Sequence, residues 1–185
     1  MRPSESLFLH EAIPGHHFQV SLASESRALP RVRRFAQYNA YVEGWALYAE
    51  RLGPELGLYQ EGHQRAGQLR SELFRAMRLV VDTGLHHEGW SRERALQNAR
   101  STVGRRREGL ELEIDRYIAN PGQALGYKVG ELAIRRMRDE AGRRLGLAFD
   151  LRAFHDALLE SGSLPLDVLE EKMRGWAPGD ARARQ

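Results

Sequence analysis

Apolar positions along this 185-residue chain recur mostly at the three-and-four spacing of helices. Long alternating runs of β-branched residues are missing, and glycine and proline fall between the periodic segments. The pattern predicts a mainly α, multi-helix domain over residues 1–177 with no substantial sheet. A polar tail, 178–185, is expected to be disordered. The first helix is capped by Ser4 or Ser6 and runs through a histidine-rich stretch, with Phe18, Val20 and Leu22 on its continuing apolar side. Ala28-Leu29-Pro30 breaks the pattern, and Arg31–Arg34 reads as a connector. A second helix spans about 37–52, with Val42, Trp45, Ala46, Ala49 and Leu52 as its buried stripe. Gly53-Pro54 ends it, and 57–67 reads as a loop or short helical piece. A third helix, about 68–85, carries Leu69, Leu73, Met77, Val80 and Val81 as its core stripe. Ser91 caps a helix to about 103, and another covers about 105–119. A further helix starts after Asn120-Pro121-Gly122 and reaches about 145. Asp150 caps a helix to about 160, in which His155 packs among Phe154, Leu158 and Leu159. Ser163-Leu164-Pro165 then opens the last helix, with a cap and an early proline.

Composition narrows the function classes. There are no cysteines, so thiolate metal sites and disulfides are excluded. No run of 18 apolar residues exists to span a membrane, and no apolar segment after Met1 makes a signal peptide. Localisation stays open between cytoplasmic and exported. The formal net charge is +3 and the pI about 9.5. Arginine clusters at 105–107, 135–138 and 143–144 raise a nucleic-acid reading. Interleaved Glu108, Glu111, Glu113, Asp139 and Glu140 favour local pairing on solvated helix faces instead.

The candidate chemistry lies in His10-Glu11-Ala12-Ile13-Pro14-Gly15-His16-His17. Neutral imidazoles with an adjacent carboxylate are the ligand set and proton acceptor of a zinc hydrolase. On a straight helix His10 and His16 diverge by about 600°, and His17 lies about 10 Å along the axis from His10. Neither pair can share one zinc with bonds of about 2.0–2.1 Å. Pro14 cannot return a hydrogen bond to the His10 carbonyl, and Gly15 adds backbone freedom. A widened turn or bulge is therefore expected, bringing His16 onto the face of His10. A third ligand should come from a later helix. Glu43 lies beside the apolar stripe of the second helix and Glu50 two turns further on, the latter also a candidate acceptor for a ligand imidazole. From the residues alone both remain open.

His10-Glu11-x-x-Pro14-Gly15-His16, followed by Glu43-Gly44-Trp45-Ala46-Leu47-Tyr48, resembles the bacterial domain of unknown function 885 family. The likeness continues through residues 78–86, 121–130, 154–159 and 164–166. Members are similar to gluzincin metallopeptidases and are roughly three times this length, so the chain resembles their C-terminal part. The resemblance implies one zinc ion on His10, His16 and Glu43, with Glu11 as general base. Tyr127 is implied as oxyanion donor, where a phenol suits developing charge. His86 is a candidate second contact to the substrate or oxyanion, set against a helix-end role favoured by the dipole, the role preferred for His87. Asp82 is a candidate acceptor for a ligand imidazole, and Gln123 and Lys128 are candidate cleft residues. The implied substrate is a peptide, and the implied partner is the N-terminal part of the same protein.

Overall fold

The computed structural model describes residues 5–104 and 109–179. Ten α-helices follow one another: α1 Glu5–Glu11, α2 His16–Glu25, α3 Arg31–Arg34, α4 Asn39–Arg51, α5 Gly62–His86, α6 Arg92–Val103, α7 Leu110–Ala119, α8 Leu125–Leu145, α9 Leu151–Leu159 and α10 Leu166–Met173. A 3₁₀ turn, Gly146–Ala148, precedes α9. Among the described residues there is no strand, as the periodicity predicts. Two caps match expectation: Ser91 Oγ accepts from Arg94 N–H, and an Asp150 oxygen accepts from Ala153 N–H. Ser163 is a correction. Its hydroxyl accepts from Tyr38 N–H at 2.8 Å, tying the entry of α4 to the α9–α10 connection. Helix α5 begins at Gly62, before the expected start, because Glu61 and Gln64 form a reciprocal capping box. The sequence readings for 105–108 and 180–185 lie outside the described residues.

Two apolar cores hold the helices. One gathers Tyr41, Trp45 and Tyr48 of α4, Ile134 and Met137 of α8, Phe154 and Leu158 of α9, and Leu169 of α10. The other gathers Phe74, Met77 and Val81 of α5 with Ala95 and Ala99 of α6 and Ile114 and Tyr117 of α7. Helices α4 and α8 make the most extensive helix pair. They approach through glycines: a Cβ on Gly130 would meet the Ala40 carbonyl at 1.8 Å, and one on Gly44 would meet Gly130 Cα at 2.5 Å. Gly126, one turn before Gly130, faces the Asn39 side chain, whose Nδ2 a Cβ would meet at 2.1 Å. This contact fixes the height of Glu43 on α4 against Tyr127 on α8.

The apolar stripe of α5 is split. Met77 and Val81 are buried, but Leu69, Leu73 and Val80 are about half exposed and turn outward. Phe18, Val20 and Leu22 of α2 are likewise exposed, while Gln19 and Ala23 face inward. The described arginines of these clusters are paired, but mostly across the fold rather than with the interleaved acids: Arg135 with Glu131 one turn away, Arg136 with Glu170, Arg138 with Glu55 and the Tyr48 hydroxyl, and Arg144 with the Trp176 carbonyl. Arg105–Arg107 falls outside the described residues.

His155 packs as expected, edge-on to Trp45 and Tyr48. Arg138 donates to the Tyr48 hydroxyl at 3.0 Å, and the Tyr48 oxygen lies 2.8 Å from His155 Nε2. An arginine only donates, so the phenol proton is directed to Nε2, and the imidazole is neutral with its proton on Nδ1. Burial, with Arg138 adding to it, lowers the His155 pKa from 6.5 to about 4. The unfolded chain thus takes up this proton at a higher pH than the folded one. The stabilising contribution is complete above the unfolded pKa and shrinks as pH falls towards the folded value. His155→Gln is expected to flatten the loss of stability between pH 6.5 and about 4, read from urea midpoints at several pH values. An unchanged slope would contradict this.

Candidate metal centre

The histidine stretch does not form one bulged helix. Helix α1 stops at Glu11 and α2 starts at His16, with residues 12–15 as a tight break that includes a cis Ile13–Pro14 bond. Ala12 N–H still closes onto the Phe8 carbonyl at 2.9 Å, and Phe18 N–H reaches back across the break to the Ala12 carbonyl at 3.3 Å. Gly15 is required by close approach: a Cβ there would sit 1.9 Å from the His10 carbonyl oxygen. Trp45 Nε1 of α4 donates to the Pro14 carbonyl at 2.7 Å and pins the break to the core. The outcome is the one the spacing required, reached by a full break rather than a widened turn. The His10 and His16 rings meet edge-on with centroids 4.8 Å apart.

Glu43 comes from α4 into the same space. Its Oε2 is 3.3 Å from His16 Nε2 and 3.8 Å from His10 Nε2, and one donor atom from each residue falls within 4.8 Å of the others. Donor atoms on a tetrahedral zinc with bonds of about 2.0–2.1 Å lie about 3.3 Å apart, so this set fits that metal with little adjustment. Glu43 Oε2 is also buried without a hydrogen-bond partner. An orphaned carboxylate oxygen facing two imidazole nitrogens leaves room for a cation between them. Burial raises the Glu43 pKa, but His16, the Tyr127 hydroxyl and His10 together bring it below the ordinary range. The carboxylate is held ionised, as a ligand must be.

Glu50, the other carboxylate considered, meets the opposite nitrogen of His10. It is 1% exposed, and its Oε1 lies 2.9 Å from His10 Nδ1. An ionised carboxylate can only accept, so the His10 proton sits on Nδ1 and the Nε2 lone pair faces Glu43. Glu43 and Glu50 are two turns apart on one face of α4, and the imidazole is held between them. Ser6 donates its hydroxyl to Glu50 Oε2, so Ser6 is not a helix cap. Burial pushes the Glu50 carboxyl up, while His10, Arg75 and Ser6 hold it net below its usual range. Nothing in the residue pattern pointed to Ser6 or Arg75 in this role, because both come from helix faces whose neighbours depend on tertiary packing.

Tyr127 stands at the centre. Its ring lies nearly parallel to His10, with centroids 6.3 Å apart, and its hydroxyl bears on Glu43. Glu11 is the exposed last residue of α1, directly after the His10 ligand position. His86 ends α5, where its Nε2 lies 3.0 Å from the Tyr117 carbonyl. That bond occupies Nε2, one of the two nitrogens His86 could offer a substrate. Asp82 is a correction: its carboxylate accepts from Gly122 N–H and shapes the turn before α8, rather than orienting an imidazole. Lys128 is another, being buried against Glu72 and Glu131 at 2.9 and 3.0 Å. Gln123 bonds Asn39 and Arg116. His87 is exposed beside Glu88.

Comparison with known proteins agrees with the resemblance. The chain is 49% identical to a protein of Colwellia psychrerythraea provisionally named a lipoprotein, whose crystal structure superposes with a TM-score of 0.88 over 92% of this chain. A provisionally named lipoprotein of unknown function from Shewanella oneidensis, 28% identical, superposes with a TM-score of 0.80 over 91% of this chain. The chain spans 29% and 31% of the length of those two proteins. No curated protein matches it. A family profile described as bacterial protein of unknown function, DUF885, matches residues 3–173, and with nearly the whole described fold inside that match the chain belongs to this family.

Proposed function

We propose that this protein is a zinc-dependent hydrolase of peptide bonds, with a gluzincin-like helical site. The observation that carries the reading is the convergence of His10, His16 and Glu43 with their donor atoms within 4.8 Å. When bound, zinc supplies Lewis acidity, lowering the pKa of water to about 7. Glu11 takes the proton of the attacking water and returns it to the leaving amine, a task suited to a carboxylate next to a ligand. Tyr127 donates its hydroxyl to the oxygen on which negative charge develops. Glu50 keeps His10 in the tautomer that presents Nε2.

The two structural relatives carry more than two thirds of their length outside the matched region. We assign the opposite wall of the substrate cleft, and with it side-chain selection, to an equivalent segment. The lipoprotein names of those relatives support an exported protein, and no helix among the described residues is long and apolar enough to cross a membrane.

The test is peptide cleavage by zinc-loaded wild type beside Glu11→Gln. The variant is expected to retain zinc and to cleave about 10²–10⁴ times more slowly. Equal rates would remove Glu11 from the chemistry. Zinc binding with no cleavage by the wild type would leave a non-catalytic helical binding module.

A further inference from the structure

Two guanidinium groups gather at the ring of Tyr127; Arg78 has no part in the chemistry above, and Arg75 enters it only through its charge near Glu50. Arg78 Cζ is 4.4 Å and Arg75 Cζ 5.9 Å from the ring centroid. Arg78 is 5% exposed; its Nε donates to the Tyr117 hydroxyl and its Nη2 to Glu113, but its Nη1 is buried with no partner. Arg75 donates from Nη1 to Ser71 Oγ at 3.1 Å, and its Nε is also buried with no partner. Its Nη2 is 3.9 Å from Glu50 Oε1, too far for a hydrogen bond. A buried cationic donor left without an acceptor is costly, and both orphans belong to groups stacked on the residue that faces the metal ligands. Of the two, Arg75 is part-exposed, and so able to meet a ligand.

Resting on the hydrolase reading, we propose that Arg75, backed by the charge of Arg78, receives the free C-terminal carboxylate of the substrate, making the site an exopeptidase that cuts near the C-terminus. A guanidinium is matched to a carboxylate in charge and in paired donor geometry. The reach is suitable. Arg75 Cζ is 5.9 Å from the centroid of the Tyr127 ring, which lies nearly parallel to the His10 imidazole at 6.3 Å. Consecutive peptide residues are about 3.8 Å apart, so the carboxylate one or two residues beyond a bond held at the metal ligands falls within range of this side chain. The terminal carboxyl is ionised at neutral pH, whereas an amidated end offers no charge.

The experiment compares acetyl-tetra-alanine as the free acid and as the C-terminal amide. Binding to the zinc-loaded wild type, Arg75→Gln and Arg75→Lys is measured by calorimetry, with product analysis by mass spectrometry in parallel. The acid is expected to bind the wild type about tenfold or more tightly than the amide. That ratio should fall to near one in Arg75→Gln and be partly kept in Arg75→Lys. Because the ratio is taken within each protein, a partly destabilised variant still reports it. Equal binding of acid and amide, a ratio unchanged in Arg75→Gln, or no binding of either peptide overturns the proposal. Equal binding with cleavage of both peptides sinks the carboxylate site and leaves the hydrolase. A preference for the acid without cleavage sinks the hydrolase and leaves the carboxylate site.

Discussion

Zinc bound to the folded protein is expected to fall from about one ion per chain to a trace in His16→Ala and in Glu43→Ala. Each substitution removes one of three donors, and two remaining donors are too few for a stable structural or catalytic site. The donors also come from three helices. His10 lies in the last turn of α1, His16 begins α2, and Glu43 lies on α4, so no pair of neighbours in one helix can compensate. Glu50→Gln makes the series graded. The amide oxygen can still accept from His10 Nδ1, but the charge that raises the basicity of the imidazole is gone, and affinity should weaken by about 10–100-fold. Metal content after dialysis, with circular dichroism as a check on folding, reads the whole series. Zinc retained at full level in Glu43→Ala would reject the third ligand.

The second large effect is expected at Gly130, which touches no substrate or metal. Gly130→Ala places a methyl group 1.8 Å from the Ala40 carbonyl oxygen and 2.7 Å from Gly44 Cα. Both obstacles are backbone, so α4 and α8 must separate rather than a side chain rotate. Overpacking costs about 1–3 kcal/mol where side chains can give way, and this contact should reach or exceed the upper end. Separation also moves Glu43 from Tyr127, so zinc affinity should fall with the melting temperature. Gly142→Ala in the same helix is the control. A Cβ there meets nothing within 4 Å, and alanine should stabilise by up to about 1 kcal/mol through helix propensity. Thermal melts of the two variants beside wild type separate a packing effect from a general effect of alanine in α8. Equal melting temperatures for Gly130→Ala and wild type would contradict the close crossing.

The metal ligands show how far residue spacing carries. The spacing of His10 and His16 made a straight helix impossible as a site, Pro14 and Gly15 made a distortion expected, and the chain shows a complete break at 12–15. The distinction was not legible, because it depends on Trp45, thirty-one positions later, donating to the Pro14 carbonyl. Glu43 and Glu50 were both visible as carboxylates on one face of α4. Their division of labour was not, since it rests on which nitrogen of His10 each one meets. Helix periodicity found the elements but misjudged outer faces. Leu69, Leu73 and Val80 share the spacing of buried residues yet turn outward, because spacing identifies an apolar face without saying what covers it. The need for glycine at Gly130 was not legible in the residue pattern, and only the neighbouring backbone of α4 shows why no side chain fits.

The most direct measurement is the zinc K-edge X-ray absorption spectrum of the reconstituted wild-type protein. Four-coordinate zinc is expected, with two imidazole nitrogens and carboxylate or water oxygens at about 2.0–2.2 Å. Six-coordinate zinc without imidazole scattering, or no zinc bound by the folded chain, would contradict it.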